Sequence, residues 1–320
     1  MKSIQDKLRC PVCKSGLQEK EDKFICSSCS KNFRIKKGIP VFLPELDNFK
    51  ITEQKFHDLL SKQKPIQRIK DRNSYFHWHF RAPMLNLPKN SLVLELACGV
   101  RADGLELARK RLCVIESDIS FDSLLKAREL ARLERVKDKT YFMVADAENL
   151  PLADGSLDAC FIAASFHHLP NQKKALLEMK RCVRPGGFII LGVEPNSWPY
   201  YTIFPVLKPL KWLIRKKRKR EDNSVADDTT FGFSRRSLNK LFIQANLEIL
   251  EIMPVKFLSE YYESGMRLIQ RLFPKKKISA SKKFTQFLLG IDRALAYVPL
   301  INLFPWHWNV IAKVKKNKNN

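Results

Sequence analysis

Between residues 91 and 196 apolar and polar positions alternate in blocks. Short apolar runs predict strands at 92–97, 112–118, 140–145, 157–163 and 188–193. Stretches with an apolar residue every three or four positions predict helices at about 103–110, 121–135 and 171–183, the last stopped by Pro185-Gly186-Gly187. Strand and helix in strict alternation fold as a parallel sheet with helices on both faces, a doubly wound α/β architecture. The first run ends in Glu95-Leu-Ala97-Cys98-Gly99, and two further runs end in Asp118 and Asp146. A strand, a turn of small residues, a helix and a strand-terminal acid make a nucleotide-like pocket at the carboxyl edge of such a sheet.

Outside this block the pattern changes. From Leu8 to about Leu43 it is governed by Cys10-Pro-Val-Cys13 and Cys26-Ser-Ser-Cys29, two knuckles separated by a hairpin-length spacer. Four thiolates so spaced can surround one zinc ion, stabilising a segment too short to fold on its own core. With all four positions filled, such a site is structural. Residues 46–90 are polar with amphipathic helical character and aromatic punctuation at Tyr75, Phe76, Trp78 and Phe80. After residue 196 come an aromatic and aliphatic stretch from Trp198 to Ile214, the cationic run Arg215–Arg220, and a second aromatic-rich segment that includes Phe257, Tyr261, Phe284, Phe287 and Trp306.

At 320 residues and 45% hydrophobic content the chain can fill a substantial core, which excludes disorder as its default state. The other four cysteines are scattered singly, a usage that suits a reducing compartment better than a disulfide framework. The first ten residues lack the apolar core of a signal peptide, and 294–312, the nearest approach to a membrane span, carries Pro299, Pro305, Asn302, Asn309 and His307. A cytoplasmic protein is expected, with a peripheral position at a membrane surface left open. The net charge of +25 is unevenly placed: residues 1–90 hold 19 Lys/Arg against 9 Asp/Glu, 91–200 hold 15 against 15, and 201–320 hold 24 against 9. A neutral core between basic flanks points to an anionic polymer or an anionic membrane as partner.

Residues 91–195 resemble the class I S-adenosylmethionine-dependent methyltransferases of the type 11 group. The landmarks are Glu-Leu-Ala-Cys-Gly (95–99), Glu-Ser-Asp-Ile-Ser (116–120), Ala-Asp-Ala-Glu-Asn-Leu-Pro (145–151), Ser-Phe-His-His-Leu (165–169) and Arg-Pro-Gly-Gly (184–187). The segment after the second knuckle, Phe33 to Pro44, resembles the end of the small zinc-ribbon proteins that activate methyltransferases. These resemblances imply a Rossmann-like, mostly parallel seven-stranded sheet that closes with a strand near 247–255 and an antiparallel return near 309–314. They also imply a small N-terminal zinc ribbon bound through Cys10, Cys13, Cys26 and Cys29, and helical insertions forming a cap at the ligand edge.

By the same resemblance Glu95, Ala97, Cys98, Gly99, Arg101, Asp118, Asp146 and Ala147 bind S-adenosylmethionine. Asp118 would accept the ribose hydroxyls, and Asp146 with the Ala147 amide would form the adenine corner. The family usually has glycine where Ala97 and Arg101 stand; Arg101 either holds the cofactor carboxylate by a charge-assisted hydrogen bond or crowds the site, and retained binding is expected. His167 and His168 fall where substrate meets the methyl group, and an imidazole there can take a proton or be a packed strand-end histidine. The expected organisation is a ribbon at 1–45, a helical linker at 46–90, the cofactor core at 91–196, an aromatic and basic insertion at 197–230, the end of the sheet at 231–258 and 306–316, a helical insertion at 259–305 and a basic tail at 317–320.

No Asn/Asp-Pro-Pro-Tyr/Phe motif occurs at 161–166, which disfavours methylation of planar amide or adenine nitrogens. The leading expectation is therefore O- or C-methylation of an apolar or lipid-linked acceptor, because residues 198–214 are richer in aliphatics than base stacking requires. Two alternatives stand beside it: an rRNA or tRNA methyltransferase that binds RNA with its ribbon and basic flanks, and a degenerate, non-catalytic scaffold. The sequence leaves the oligomeric state open.

Overall fold

The computed structural model describes residues 2–71, 81–206, 224, 230–273, 276 and 278–316. Its centre is β5 (Leu92–Leu96), buried along its whole length between parallel neighbours β6 (Cys113–Asp118) and β8 (Leu157–Ala163). A strand covered on both faces reads as a nearly continuous apolar run, and 92–96 is one apart from Glu95. Towards one side the sheet continues from β6 to β7 (Thr140–Ala145). Towards the other it passes from β8 to β9 (Val183–Pro195), then to β11 (His307–Val314) and β10 (Leu247–Val255), with β11 antiparallel to both neighbours.

Helices α2 (Leu105–Arg109) and α3 (Phe121–Leu133) cover one face, where Leu105, Leu107, Leu124, Ala127 and Leu130 join Val93, Val114 and Phe161 in one core layer. Helices α4 (Gln172–Cys182) and α5 (Arg235–Gln244) cover the other, through Ala175, Leu176, Met179, Leu238 and Phe242. The helix stops ahead of Pro185-Gly186-Gly187 as expected, but the next strand begins before the expected residue 188. Helix α4 ends at Cys182, and β9 begins at Val183 and runs through the proline and both glycines.

The sheet has eleven strands where seven were expected. The ribbon supplies the others: β1 (Leu17–Lys20), β2 (Lys23–Cys26), β3 (Asn32–Lys36) and β4 (Ile39–Phe42). Strand β4 pairs in parallel with β7, Val41 opposite Val144 and Phe42 opposite Ala145. The reason is the unpaired backbone edge that β7 would otherwise leave exposed. Phe42 is fully buried, 5.2 Å from the Phe24 ring and 5.7 Å from the Phe33 ring. A second clamp joins the ribbon's start to the core: Arg9 N donates to Pro151 O at 3.0 Å, Ala153 N to Lys7 O at 2.8 Å, and Lys14 Nζ to Glu178 at 2.7 Å.

Strand β10 ends at Val255 opposite His307, which faces Pro195, so the second insertion leaves the same sheet edge as the ends of β5, β6 and β7. It folds as α6 (Leu258–Leu272) against α7 (Lys282–Leu295). Asp292 of α7 accepts the Leu258 N–H at 2.7 Å and binds Ser259, capping the start of α6. Among the described residues no helix is long and apolar enough to cross a membrane. The run Arg215–Arg220, the aromatic group Tyr75–Phe80 and the tail at 317–320 lie outside the described residues.

Candidate functional site

The carboxyl ends of β5, β6, β7 and β8 open into a cavity of about 340 Å3. Its floor is the turn after β5. Ala97 and Gly99 both lie in the left-handed region, at φ 49° and 56°, a conformation that costs alanine more than glycine. A Cβ built on Gly99 meets nothing within 4 Å, so the backbone there faces open space. Gly99 N donates to Asp118 Oδ2 and Ser120 N to Asp118 Oδ1, both at 2.8 Å, which fixes the carboxylate at the cavity wall. Burial raises the Asp118 pKa, opposed by the nearby His57 and by these two amide bonds.

Glu95 lines the cavity from the last turn of β5, and its Oε2 accepts the Gly104 N–H at 2.6 Å. It therefore ties the far end of the loop 97–104 back to β5. Across the parallel ladder it faces Glu116, and both side chains are buried. Burial, with the Glu116 charge beside it, pushes the Glu95 carboxyl well above the ordinary carboxylate range. Arg101 turns towards Asp103, its Nε at 3.0 Å from Oδ1, while still lining the cavity. Cys98 is buried beside it with a thiol pKa raised well above normal by burial, the state of an inert packing cysteine.

The roof is α1 (Asn48–Gln63), whose N-cap Asp47 accepts Lys50 N at 2.8 Å. The side chains it buries are polar: Lys50, Glu53 and Ser61. Lys50 Nζ reaches Asp146 at 2.9 Å and Glu148 at 2.8 Å, and Asp146 also accepts from Asn149 Nδ2 at 2.7 Å. Asp146 and Ala147 line the cavity as expected, with the acid engaged by this lysine. One turn further along α1, Glu53 and His57 face the cavity together with His168. Glu53 Oε2 lies 3.7 Å from His57 Nε2 and 3.5 Å from His168 Nδ1. Burial lowers the His57 pKa, but the charges of Glu53 and Asp118 outweigh it and the net shift is upward. Ser224, from the first insertion, donates to Glu53 at 2.8 Å.

The two histidines separate. His168 lines the cavity, whereas His167 is absent from its lining and binds Glu194 through Nδ1 at 2.9 Å. Glu194 is fully buried and also accepts the backbone N–H groups of Ser165, Phe166 and His167, so it organises the turn after β8. Of the expected cofactor residues, Glu95, Ala97, Cys98, Gly99, Arg101, Asp118, Asp146 and Ala147 all line one cavity. Lys50, Glu53 and His57 were missed in the sequence. The Glu-x-x-x-His spacing on a predicted amphipathic helix was the available clue. Among the described residues of the two insertions, Ser224 meets the cavity-lining Glu53, and α1 supplies the described roof.

In the ribbon, the four cysteine sulfurs come together within 4.8 Å of one another, Cys10 to Cys29 at 3.6 Å and Cys13 to Cys26 at 3.4 Å. The amides of Ser28 and Cys29 both point at Cys26 Sγ, at 3.4 Å. Converging sulfurs with amides directed at one of them fit a tetrahedral thiolate ion site.

A family profile described as a methyltransferase domain matches residues 94–191. The methyltransferase GfsG of Streptomyces halstedii is 36% identical over 109 residues, which is 34% of this chain and 39% of that protein. A demethylmenaquinone methyltransferase of Lactiplantibacillus plantarum is 24% identical over 204 residues, 60% of this chain and 85% of the relative. The chain spans about two fifths of the length of the first curated relatives it matches. Among solved structures the cyclase SpnF superposes with a TM-score of 0.53 at 16% identity over 86% of this chain and 98% of that one, a likeness of fold alone.

Proposed function

We propose, for a chain whose residues 94–191 match a methyltransferase-domain profile, that the whole protein is a class I S-adenosylmethionine-dependent enzyme that transfers a methyl group to oxygen or carbon of an apolar, membrane-associated acceptor. S-adenosylmethionine supplies an electrophilic methyl on sulfonium. The backbone of Ala97–Gly99 would hold its methionine end, Asp118 the ribose, and Asp146 with Ala147 the adenine. Arg101, already paired with Asp103, remains beside that turn without filling it. The acceptor would meet Glu53, His57 and His168 at the outer cavity wall rather than His167, which Glu194 holds as part of the turn. Four cysteines in the ribbon would hold zinc in a structural role, since they leave no open ligand position.

The observation that carries the acceptor class is the surface of the second insertion. Tyr261, Phe284, Phe287, Tyr297, Leu300 and Phe304 are exposed there, at the same sheet edge as the cavity. Aromatic and aliphatic side chains of this kind beside lysines such as Lys282 and Lys283 suit the interface of an anionic membrane. A relative named for acting on demethylmenaquinone, a quinone, supports an apolar acceptor. Two measurements test the reading. Calorimetry should show one S-adenosylmethionine bound per chain, and the protein should float with anionic liposomes at low salt and be released at high salt. Absence of cofactor binding removes the enzyme; cofactor binding without flotation removes the membrane-associated acceptor.

A further inference from the structure

We infer that Glu53, His57 and His168 form a binding site for one divalent transition-metal ion at the outer wall of the cavity, distinct from the thiolate site of the ribbon. The ligand types are two imidazoles and one carboxylate, a set that suits zinc, manganese or cobalt and leaves further coordination positions open. Their donor atoms all lie within 4.8 Å of one another. The separations, 3.7 Å from His57 Nε2 and 3.5 Å from His168 Nδ1 to Glu53 Oε2, are too long for good direct hydrogen bonds. Donors about 2.1 Å from a common ion would stand roughly 3.0–3.5 Å apart, so small side-chain rotations close the site.

The fold prepares this arrangement from two independent elements. Glu53 and His57 stand one helical turn apart on the cavity face of α1. His168 comes from the short turn after β8 that Glu194 fixes through three backbone amides. The His57 and His168 rings are 6.2 Å apart and inclined at 62°, so neither blocks the point between them by stacking. Ser224 Oγ, 2.8 Å from Glu53 and 3.4 Å from His168 Nδ1, adds a hydroxyl at the same point. All three ligands line the cavity, so an ion held by them would be reached from it.

The ion's use rests on the methyl-transfer reading, although its binding does not. Bound there, it would take an oxygen of the acceptor as ligand and make that hydroxyl more acidic. The O–H proton leaves to solvent, the new oxygen–carbon bond forms as the sulfonium–methyl bond breaks, and S-adenosylhomocysteine leaves. The substrate class is thereby narrowed to apolar molecules that present a metal-binding oxygen, such as a phenol or an enol.

The test is titration of Co2+ into the untagged full chain with its ribbon loaded with zinc, read by visible absorption. One equivalent of Co2+ should bind and give ligand-field bands without thiolate charge transfer. Glu53→Gln on α1 and His168→Gln on the turn after β8 should each weaken that binding at least tenfold, while His167→Gln should retain it; circular dichroism identifies any variant that misfolds. No bands beyond those of aqueous Co2+, growth of a thiolate band, or equal affinity in the folded variants would overturn the site. S-adenosylmethionine calorimetry on the same samples separates the two ideas: cofactor binding without Co2+ uptake removes only the metal site, and Co2+ uptake without cofactor binding removes only the methyl-transfer reading.

Discussion

Gly99 shows how one residue can answer to fold and ligand at once. Its φ of 56° favours glycine, and a Cβ at that position would meet only open space on the cavity floor. Gly99→Ala should therefore cost the fold only about 1 kcal/mol of left-handed strain. Its methyl would stand where the cofactor must approach the backbone, so calorimetry should show S-adenosylmethionine binding weakened at least tenfold. Unchanged affinity would remove this turn from the cofactor site. Glu95 makes the opposite case, an acid whose work is internal. Its pKa is raised by burial and by Glu116, so the folded chain holds a proton that the unfolded chain releases above the ordinary carboxylate value of 4.5. Stability should then fall as pH rises from about 5 towards the raised folded pKa. Glu95→Gln keeps an acceptor for the Gly104 amide and removes one of the two charges, so its melting temperature should decline less between pH 6 and pH 9 than that of the parent. Parallel pH profiles would rule out the raised Glu95 pKa. Both residues were legible in the sequence as parts of a strand-end motif, but their division of labour was not, because it depends on Glu116 lying directly across the ladder.

At the scale of elements, the strands of the core and their acids were readable because burial on both faces leaves mostly apolar runs in which the acids stand out. Helix α1 was readable only as an amphipathic linker. Its buried face is polar, so hydrophobic periodicity could not say what it covers; it lies over the cavity because Lys50 enters between Asp146 and Glu148 and Gln54 donates to Ile119 O at 2.9 Å. Removing the partner of a buried charge costs more than the pair itself contributes. Asn149 and Asn171 still donate to the two carboxylates, which softens the loss. Lys50→Met should accordingly lower stability by about 2–3 kcal/mol in equilibrium urea unfolding, with amide exchange in α1 accelerated more than in β5 or β8. A change below about 0.5 kcal/mol would mean that the two acids are solvated without the lysine.

For the whole molecule the informative departure is the ribbon, which the sequence marked as a separate unit and the structure builds into the sheet. Edge pairing is made by backbone groups, so no side-chain pattern announced that β4 would lie on β7. The consequence is mechanical. Phe42 belongs to the same buried cluster as Leu94, Ile115 and Met143, and β7 leads directly into Asp146 and Ala147 at the cavity. A segment of this size has little core of its own, so an ion at its four cysteines would add to its stability. Treatment with a zinc chelator, or replacement of Cys13 and Cys29 by serine, should therefore lower the melting temperature of the entire chain in one transition. It should expose the β7 edge to amide exchange and weaken S-adenosylmethionine binding several-fold, although no ribbon residue lines the cavity. Two separate melting steps, with the core step and the cofactor affinity unmoved by chelation, would instead make the ribbon an appendage. The coupling expected here follows from continuity of hydrogen bonding between β4 and β7, so a proline at Val41, whose strand pairs with β7 at Val144, should reproduce the loss with all four cysteines intact.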